Sequence, residues 1–235
     1  MRIFVAPAVL APGELVVRGD EHHYLARVRR ARTGDAVELV DGAGRRASAV
    51  IAKISETETQ LQVATPEAIV PRPPFVRALL PLIKGDRMDT CLEKLVEVGV
   101  DAIVVWPAAR SVVRLDPDRR EARLAKYTAA LQAAARQSGR AQVPSITWAD
   151  DLRAAAAQAT GLALVLDPTS DAPLPLAAVS SAADVTIVSG PEGGLAPAEL
   201  DALSSFAPLG LGPRILRAET APVVAVALIR AATQS

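Results

Sequence analysis

The chain is poor in the side chains that build disulfides, metal sites and membrane spans. Cys91 is the single cysteine among its 235 residues, so no disulfide can form within the chain. His22 and His23 are the only histidines, whereas a structural zinc site needs about four nitrogen or sulfur ligands. No apolar run approaches the roughly 18 residues that cross a bilayer. We therefore expect no metal and no membrane segment, and the missing apolar leader favours a cytoplasmic protein.

The net charge of the chain is zero, because Lys and Arg together number 26 and Asp and Glu also number 26. Overall charge thus gives no argument for nucleic-acid binding, and only a local basic patch could supply one. What remains is a globular composition, with 50% hydrophobic and 22% charged residues. This length and composition suit one large domain or two small ones, with ample material for a core.

The first 68 residues have the pattern of a small β-rich domain, either a barrel or a sandwich. Short apolar segments such as RIFV, ELVV and DAVELV are separated by the turn signals TGD and DGAG. A helix is predicted to interrupt them from about Glu21 to Arg30. The stretch TPEAIVPRPP then predicts a stiff linker, and we place the domain boundary at residues 69–74.

Residues 75–235 alternate between strand and helix patterns. LALVLD and DVTIVS are apolar runs without alternation, as expected for strands buried on both faces of a parallel sheet. Asp116 and Pro117 are predicted to open a long helix, and Thr220 is predicted to cap a last apolar helix over Ala221 to Ala232. This alternation indicates an α/β domain with a mostly parallel sheet.

Two glycine-rich stretches follow predicted strands, GPEGGL at 190–195 and LGLGPRI at 209–215. Glycine lets backbone groups approach a ligand closely, and ligands bind beyond the carboxyl ends of parallel strands. A phosphate loop is excluded because no lysine follows the glycines, and the dinucleotide fingerprint fails at Ile215. We expect a pocket built mainly from backbone, for a ligand that tolerates the nearby Glu192. The alternative is that these glycines only turn the chain.

GPEGGL followed by LGLGPRILRAETA resembles the signature of the RsmE family, ribosomal RNA uridine-N3 methyltransferases of the SPOUT trefoil-knot class. KGDRMDTCLEKLVEVGV at 84–100 is similar to another segment of that family, and so are ARSVVR at 109–114 and AARQSGRAQVP at 134–144. MRIFV and HHYLARVRR resemble its PUA-like RNA-binding domain. The resemblance covers nearly the whole chain, with small departures at Ala218 and Val98.

The resemblance implies a PUA-like RNA-binding β-barrel over residues 1–68 and a SPOUT-type trefoil-knotted α/β methyltransferase domain over residues 75–235. It also implies S-adenosylmethionine (SAM) as cofactor, 16S ribosomal RNA or the 30S subunit as partner, and a homodimer. The apolar VVAVALI segment of the last predicted helix, which has no polar face, agrees with a buried interface. The cofactor-binding residues that it implies are Leu166, Pro168, Gly190, Glu192, Gly193, Leu211, Gly212, Ile215, Leu216 and Ala218.

Methylation of uridine at N3 requires loss of the N3 proton, and negative charge then spreads to O2 and O4. We expect Arg217 to stabilise this anion and Glu219 to orient groups or relay the proton. The alternative for this pair is a structural ion pair at the start of the last helix. In the first domain, we expect phosphate contacts from four arginines, which would otherwise form a solvated helix face: Arg27, Arg29, Arg30 and Arg32.

Two other functional classes stay open from the sequence. One is a non-enzymatic RNA-binding protein that keeps the fold, which cofactor binding would distinguish. The other is a related knot methyltransferase that acts on ribose O2′ or on another base, which product analysis would distinguish.

Overall fold

The computed structural model describes residues 1–111 and 117–233. The chain divides into two compact units. The first consists of Met1–Val70 with Ala135–Val143, and the second of the described residues of Pro71–Ala134 and Pro144–Ser235. The predicted N-cap at Asp116 lies outside the described residues.

The first unit is built on a mainly antiparallel sheet of six described strands, in the order β1-β3-β4-β5-β2 with β6 paired to β4. Only the pairing of β1 with β3 is parallel among the described ladders of this sheet. Its strands are β1 (Arg2–Phe4), β2 (Gly13–Arg18), β3 (Ala36–Val40), β4 (Arg45–Ile54), β5 (Glu58–Val63) and β6 (Glu67–Ala68).

Side-chain alternation explains how this sheet covers its core. Along β4 the buried positions Ala47, Ala49 and Ile51 alternate with exposed ones, and Leu61 and Val63 of β5 face the same interior. The predicted helix is present as α1 (Gly19–His23), which continues as a π-helical turn over Tyr24–Val28.

By their contacts, residues 135–143 belong to the first compact unit, although they lie within the sequence range 75–235 predicted for the second domain. Arg136 forms a 3.1 Å ion pair with Glu21, and its guanidinium lies 5.5 Å from the centre of the Phe4 ring. Gln142 forms bridges with Gly42 and Ala43. These contacts join positions about a hundred residues apart, and such pairs leave no local pattern in the sequence.

The second unit contains a parallel sheet of six described strands in the order β12-β10-β11-β7-β8-β9. Its strands are β7 (Phe75–Pro81), β8 (Ala102–Trp106), β9 (Ser145–Trp148), β10 (Leu162–Leu166), β11 (Asp184–Val188) and β12 (Ala207–Leu209). The helices after α1 are α2 (Asp86–Val98), α3 (Arg120–Ser138), α4 (Leu152–Ala156), α5 (Leu176–Ser181), α6 (Pro197–Asp201) and α7 (Ala221–Ala232).

The predicted pattern of the second unit is largely confirmed. The runs LALVLD and DVTIVS form β10 and β11 as predicted. Four of the five residues of β11 are buried, whereas in β10 only Leu164 and Leu166 are. Helix α7 has the predicted bounds, but Thr220 already has helical dihedral angles and its side chain makes no capping bond. The cap prediction was therefore wrong, because Thr220 adopts helical angles where a capping residue is extended.

The described residues show neither a membrane-spanning helix nor a cluster of metal ligands. No helix among them is long and apolar enough to cross a membrane. No group of three or more His, Cys, Asp or Glu side chains in residues 1–111 and 117–233 could hold a metal ion.

Candidate active site

The candidate site lies at the carboxyl ends of three neighbouring strands, β12, β10 and β11. Because β10 pairs in parallel with both neighbours, the segments that follow these strands emerge at one edge of the sheet. Backbone hydrogen bonds join two of these segments. The Asp167 N–H donates to Leu209 O at 3.0 Å, and the Gly210 N–H donates to Ala172 O at 2.9 Å.

These segments enclose a cavity of about 610 Å³. Leu166 and Ala218 are buried in its wall, whereas Ile215 is 87% exposed. Arg217 and Ser189 also line it. Most residues that the sequence implied for cofactor binding meet here, namely Leu166, Pro168, Gly190, Glu192, Leu211, Gly212, Ile215, Leu216 and Ala218.

Gly193 is not among the described lining residues, and its environment explains the glycine differently. A Cβ at Gly193 would lie 3.0 Å from Cβ and 3.1 Å from the carbonyl oxygen of Arg110. The Arg110 guanidinium also donates to Gly193 O at 3.3 Å and to Leu195 O at 3.2 Å. Gly193 therefore allows the loop to pack against Arg110, and this packing fixes the loop that carries Gly190 and Glu192.

Gly210 is a second position where backbone meets backbone. A Cβ there would collide with the carbonyl oxygen of Ser170. The glycines thus serve the packing of one loop on another as well as access to the cavity.

Four charged side chains meet beside this cavity. Arg217 Nη1 lies 3.8 Å from Glu219 Oε1. From α2, Arg87 Nη1 lies 2.8 Å from Glu192 Oε1 and 3.9 Å from Glu219 Oε2. The Glu219 side chain is only 13% exposed, whereas that of Arg217 is 78% exposed. The predicted pair Arg217 and Glu219 is therefore together, in a larger cluster.

Cys91 lies beneath this cluster on α2. Burial, followed by the negative charge of Glu219, raises the pKa of the Cys91 thiol to about 12. The thiol is therefore protonated at neutral pH and is not a nucleophile here.

Sequence reasoning assigned no role to Arg87, Arg110 or Ser189. Arg87 and Arg110 lie in the segments 84–100 and 109–114, which resemble the RsmE family. This resemblance is the sequence signal that could have pointed to them. Ser189 directly precedes GPEGGL, and its buried hydroxyl has no hydrogen-bond partner among the described residues. Local pattern gave no signal for that hydroxyl.

The four arginines expected at RNA lie in the first unit and are exposed. Arg29 lies over the Tyr24 ring at 6.0 Å, and Arg30 is the one non-glycine residue with positive φ, 51°, in the described ranges. Neither they nor Arg27 and Arg32 contribute to the cavity wall.

Comparisons with known proteins agree with this geometry. The family model of the RNA methyltransferase domain matches residues 71–230, and that of the RNA methyltransferase PUA domain matches residues 17–63. Ribosomal RNA small subunit methyltransferase E of Mycobacterium bovis is 35% identical to this chain, and the alignment covers 91% of this chain and 85% of the relative. The Bacillus subtilis protein of the same name is 29% identical, with 93% and 90% covered.

A solved structure is similar over nearly its whole length. It is a Legionella pneumophila methyltransferase in complex with the bound cofactor SAM. Its TM-score to this chain is 0.78 at 26% identity, covering 99% of this chain and 97% of that chain.

Fold and site thus define an RNA methyltransferase with a PUA domain. More particularly, the chain belongs to the family of ribosomal RNA small subunit methyltransferase E. The resemblance inferred from GPEGGL and LGLGPRILRAETA is confirmed, as are the α/β fold with a parallel sheet and the PUA-like domain.

Proposed function

We propose that this protein transfers a methyl group from SAM to N3 of a uridine in 16S ribosomal RNA. The observation that carries the proposal is the cavity at the ends of β10, β11 and β12, with Arg217 in its wall and Glu219 3.8 Å from that arginine. A ligand site and a group of ionisable side chains suited to proton removal are thereby side by side.

The residues of the cavity fit SAM. Leu211, Ile215 and Leu216 offer apolar contacts to an adenine ring. The Ser189 hydroxyl, buried and without a partner among the described residues, is a group that a polar ligand atom would satisfy. Glu192 in the wall suits a cationic sulfonium and not a phosphate. When bound, SAM supplies an electrophilic methyl group.

The protein's task is to make N3 of uridine nucleophilic. We propose that the exposed Arg217 guanidinium donates to O2 or O4 of the base, where negative charge collects as the proton leaves. Glu219 is the proposed acceptor or relay of that proton, or orients the group that takes it. Its low exposure, 13%, limits competition from water.

RNA docking is assigned to the first unit. We propose that Arg27, Arg29, Arg30 and Arg32 contact phosphates, since all four are exposed and none is in an ion pair described for residues 1–111 and 117–233. The π-helical turn and the strained Arg30 are features often found at functional sites. Such contacts raise affinity without selecting a base.

Assembly, location and threading are further parts of the proposal. A homodimer would cover Leu228 of α7, which is 43% exposed, although the sequence predicted burial of this apolar segment on all sides. Light scattering tests this state.

The proposed substrate, whether free 16S RNA or the 30S particle, places the enzyme in the cytoplasm. The strand order β12-β10-β11 is compatible with the proposed trefoil knot.

The test is labelled methyl transfer to small-subunit RNA and to 30S particles, followed by nucleoside mapping with mass spectrometry. We expect 3-methyluridine, and we expect Arg217→Ala to lower kcat about 100-fold while SAM still binds. The exposed Arg153 of α4 gives a control, since Arg153→Ala should leave kcat unchanged. Methylation at ribose O2′, or SAM binding without transfer, would replace this function with one of the two alternatives.

A further inference from the structure

Arg87 occupies the first turn of α2, directly after Gly85 and Asp86. Gly85 has φ 61°, a conformation that favours glycine, and this turn directs the chain into the helix. Buried Met88 and Cys91 fix the inner face of the same helix in the core. Arg87 is therefore a side chain on a helix anchored in the core, and it reaches the loops of the site.

One guanidinium nitrogen of Arg87 serves two carboxylates from different segments. Nη1 lies 2.8 Å from Glu192 in the cavity wall and 3.9 Å from Glu219 at the start of α7. Arg87 is the cation near Glu219 Oε2, and Arg217 is the one near Glu219 Oε1. Glu219 Oε2 is buried and accepts no hydrogen bond from the described residues. Its negative charge is therefore compensated mainly by the nearby Arg87 guanidinium.

The charge of this cluster is balanced only with Arg87 present. Arg87 and Arg217 face Glu192 and Glu219, two positive charges against two negative ones. Asp167 and Arg214, which also line the cavity, balance each other in sign. Removal of the Arg87 charge would leave the cavity rim one unit negative.

We propose that Arg87 is a positioning residue for methyl transfer, which holds Glu192 and Glu219 in place and neutralises the cavity rim. This inference rests on the proposed function, because it assumes that the cavity takes SAM and that Glu219 serves the proton.

The charge of the cofactor makes the inference measurable. SAM carries a positive sulfonium, whereas its product S-adenosylhomocysteine carries a neutral sulfur. A rim made one unit more negative favours SAM over the product, and a loop that is merely loosened weakens both ligands alike. The ratio of the two dissociation constants therefore separates a charge role from a structural one.

Calorimetry with SAM and S-adenosylhomocysteine, together with single-turnover transfer to 30S particles, would test Arg87→Gln and Arg87→Lys. For Arg87→Gln we expect the ratio Kd(S-adenosylhomocysteine)/Kd(SAM) to rise about three- to tenfold. We expect its transfer rate to fall about tenfold or more, because Arg87 then no longer holds the Glu219 carboxylate in position. Arg87→Lys keeps the charge, so it should retain the wild-type ratio and recover part of the rate.

Lys94 gives a matched control on the same helix. Its ammonium pairs with Glu93 and Glu97, both at 2.8 Å, so Lys94→Gln removes one positive charge at a solvated position. We expect a wild-type ratio and rate from it. Melting temperatures without ligand would establish that each variant is folded.

Two results would overturn the inference. One is a wild-type ratio and rate in folded Arg87→Gln. The other is an equal loss of both ligands that Arg87→Lys does not restore, which would make Arg87 a structural residue. Failure of the proposed function is a different result, since the wild-type protein itself would then bind no SAM or form no 3-methyluridine.

Discussion

At Gly193, the absence of a side chain allows the GPEGGL loop to pack closely on Arg110. A Cβ at Gly193 would lie 3.0 Å from the Arg110 Cβ and 3.1 Å from the Arg110 carbonyl oxygen. Separations of this size force the neighbour or the loop to move. Because the Arg110 guanidinium also bonds the carbonyl groups of Gly193 and Leu195, a displacement there would propagate to the cavity wall.

We expect Gly193→Ala to raise Kd for SAM about tenfold by moving the loop away from Arg110. Calorimetry would measure this. Arg110→Ala should weaken binding in the same direction without any clash, because it removes two hydrogen bonds from the loop. Arg153→Ala, at an exposed position of α4, is the control and should leave the SAM affinity unchanged. Unaltered SAM affinity in Gly193→Ala would mean that the loop adapts freely.

Helices and strands with a single repeating hydrophobic pattern could be predicted from the sequence. Contacts between segments that lie far apart in sequence could not. β11 and α7 were predictable because each follows one apolar pattern, although Leu228 of α7 is 43% exposed. The glycine loops were correctly located beyond parallel strands, but the partners of Gly193 and Gly210 come from other segments. Arg87 reaches the site from a helix a hundred residues away in sequence, and no local pattern encodes that distance.

The turn between β3 and β4 offers a prediction about an element. Asp41 Oδ1 accepts the N–H groups of Ala43 and Arg45 at 2.8 and 3.0 Å, and Oδ2 accepts Arg45 Nε at 2.7 Å. We expect Asp41→Ala to lower the free energy of unfolding by about 2 kcal/mol, and Asp41→Asn to lower it less, because the amide oxygen still accepts. Urea unfolding at neutral pH would measure both.

The same turn has a defined pH dependence. Burial raises the pKa of Asp41, but hydrogen bonds from Arg45 and Ala43 outweigh it and bring the pKa below the ordinary 3.8. A carboxyl whose pKa is lower in the folded state stabilises the fold fully above the unfolded pKa. This contribution is lost as pH falls below 3.8, so the wild type and Asp41→Ala should converge there. A stability gap that is unchanged at acid pH would show that the charge has no part in the turn.

For the whole molecule, the two units carry different surfaces. The first presents four exposed arginines, and the second presents a cavity formed by three loops. The trefoil knot that we propose for these loops would be a matter of chain path alone. Rules for connecting strands argue against knots in general, so neither composition nor periodicity could have predicted one.

The last prediction concerns which part of the molecule the cofactor stabilises. At about 100 times Kd, SAM should stabilise the fold by roughly 2.7 kcal/mol, which for this length raises the melting temperature by roughly 5–10 °C. Hydrogen exchange should slow in the segments 189–195 and 210–220, while peptides from residues 1–70 exchange as before. S-adenosylhomocysteine should act similarly. ATP should have little effect, because Glu192 in the wall disfavours phosphates and no lysine lines the described cavity. An equal shift with ATP, or protection spread evenly over both units, would contradict a cofactor site confined to these loops.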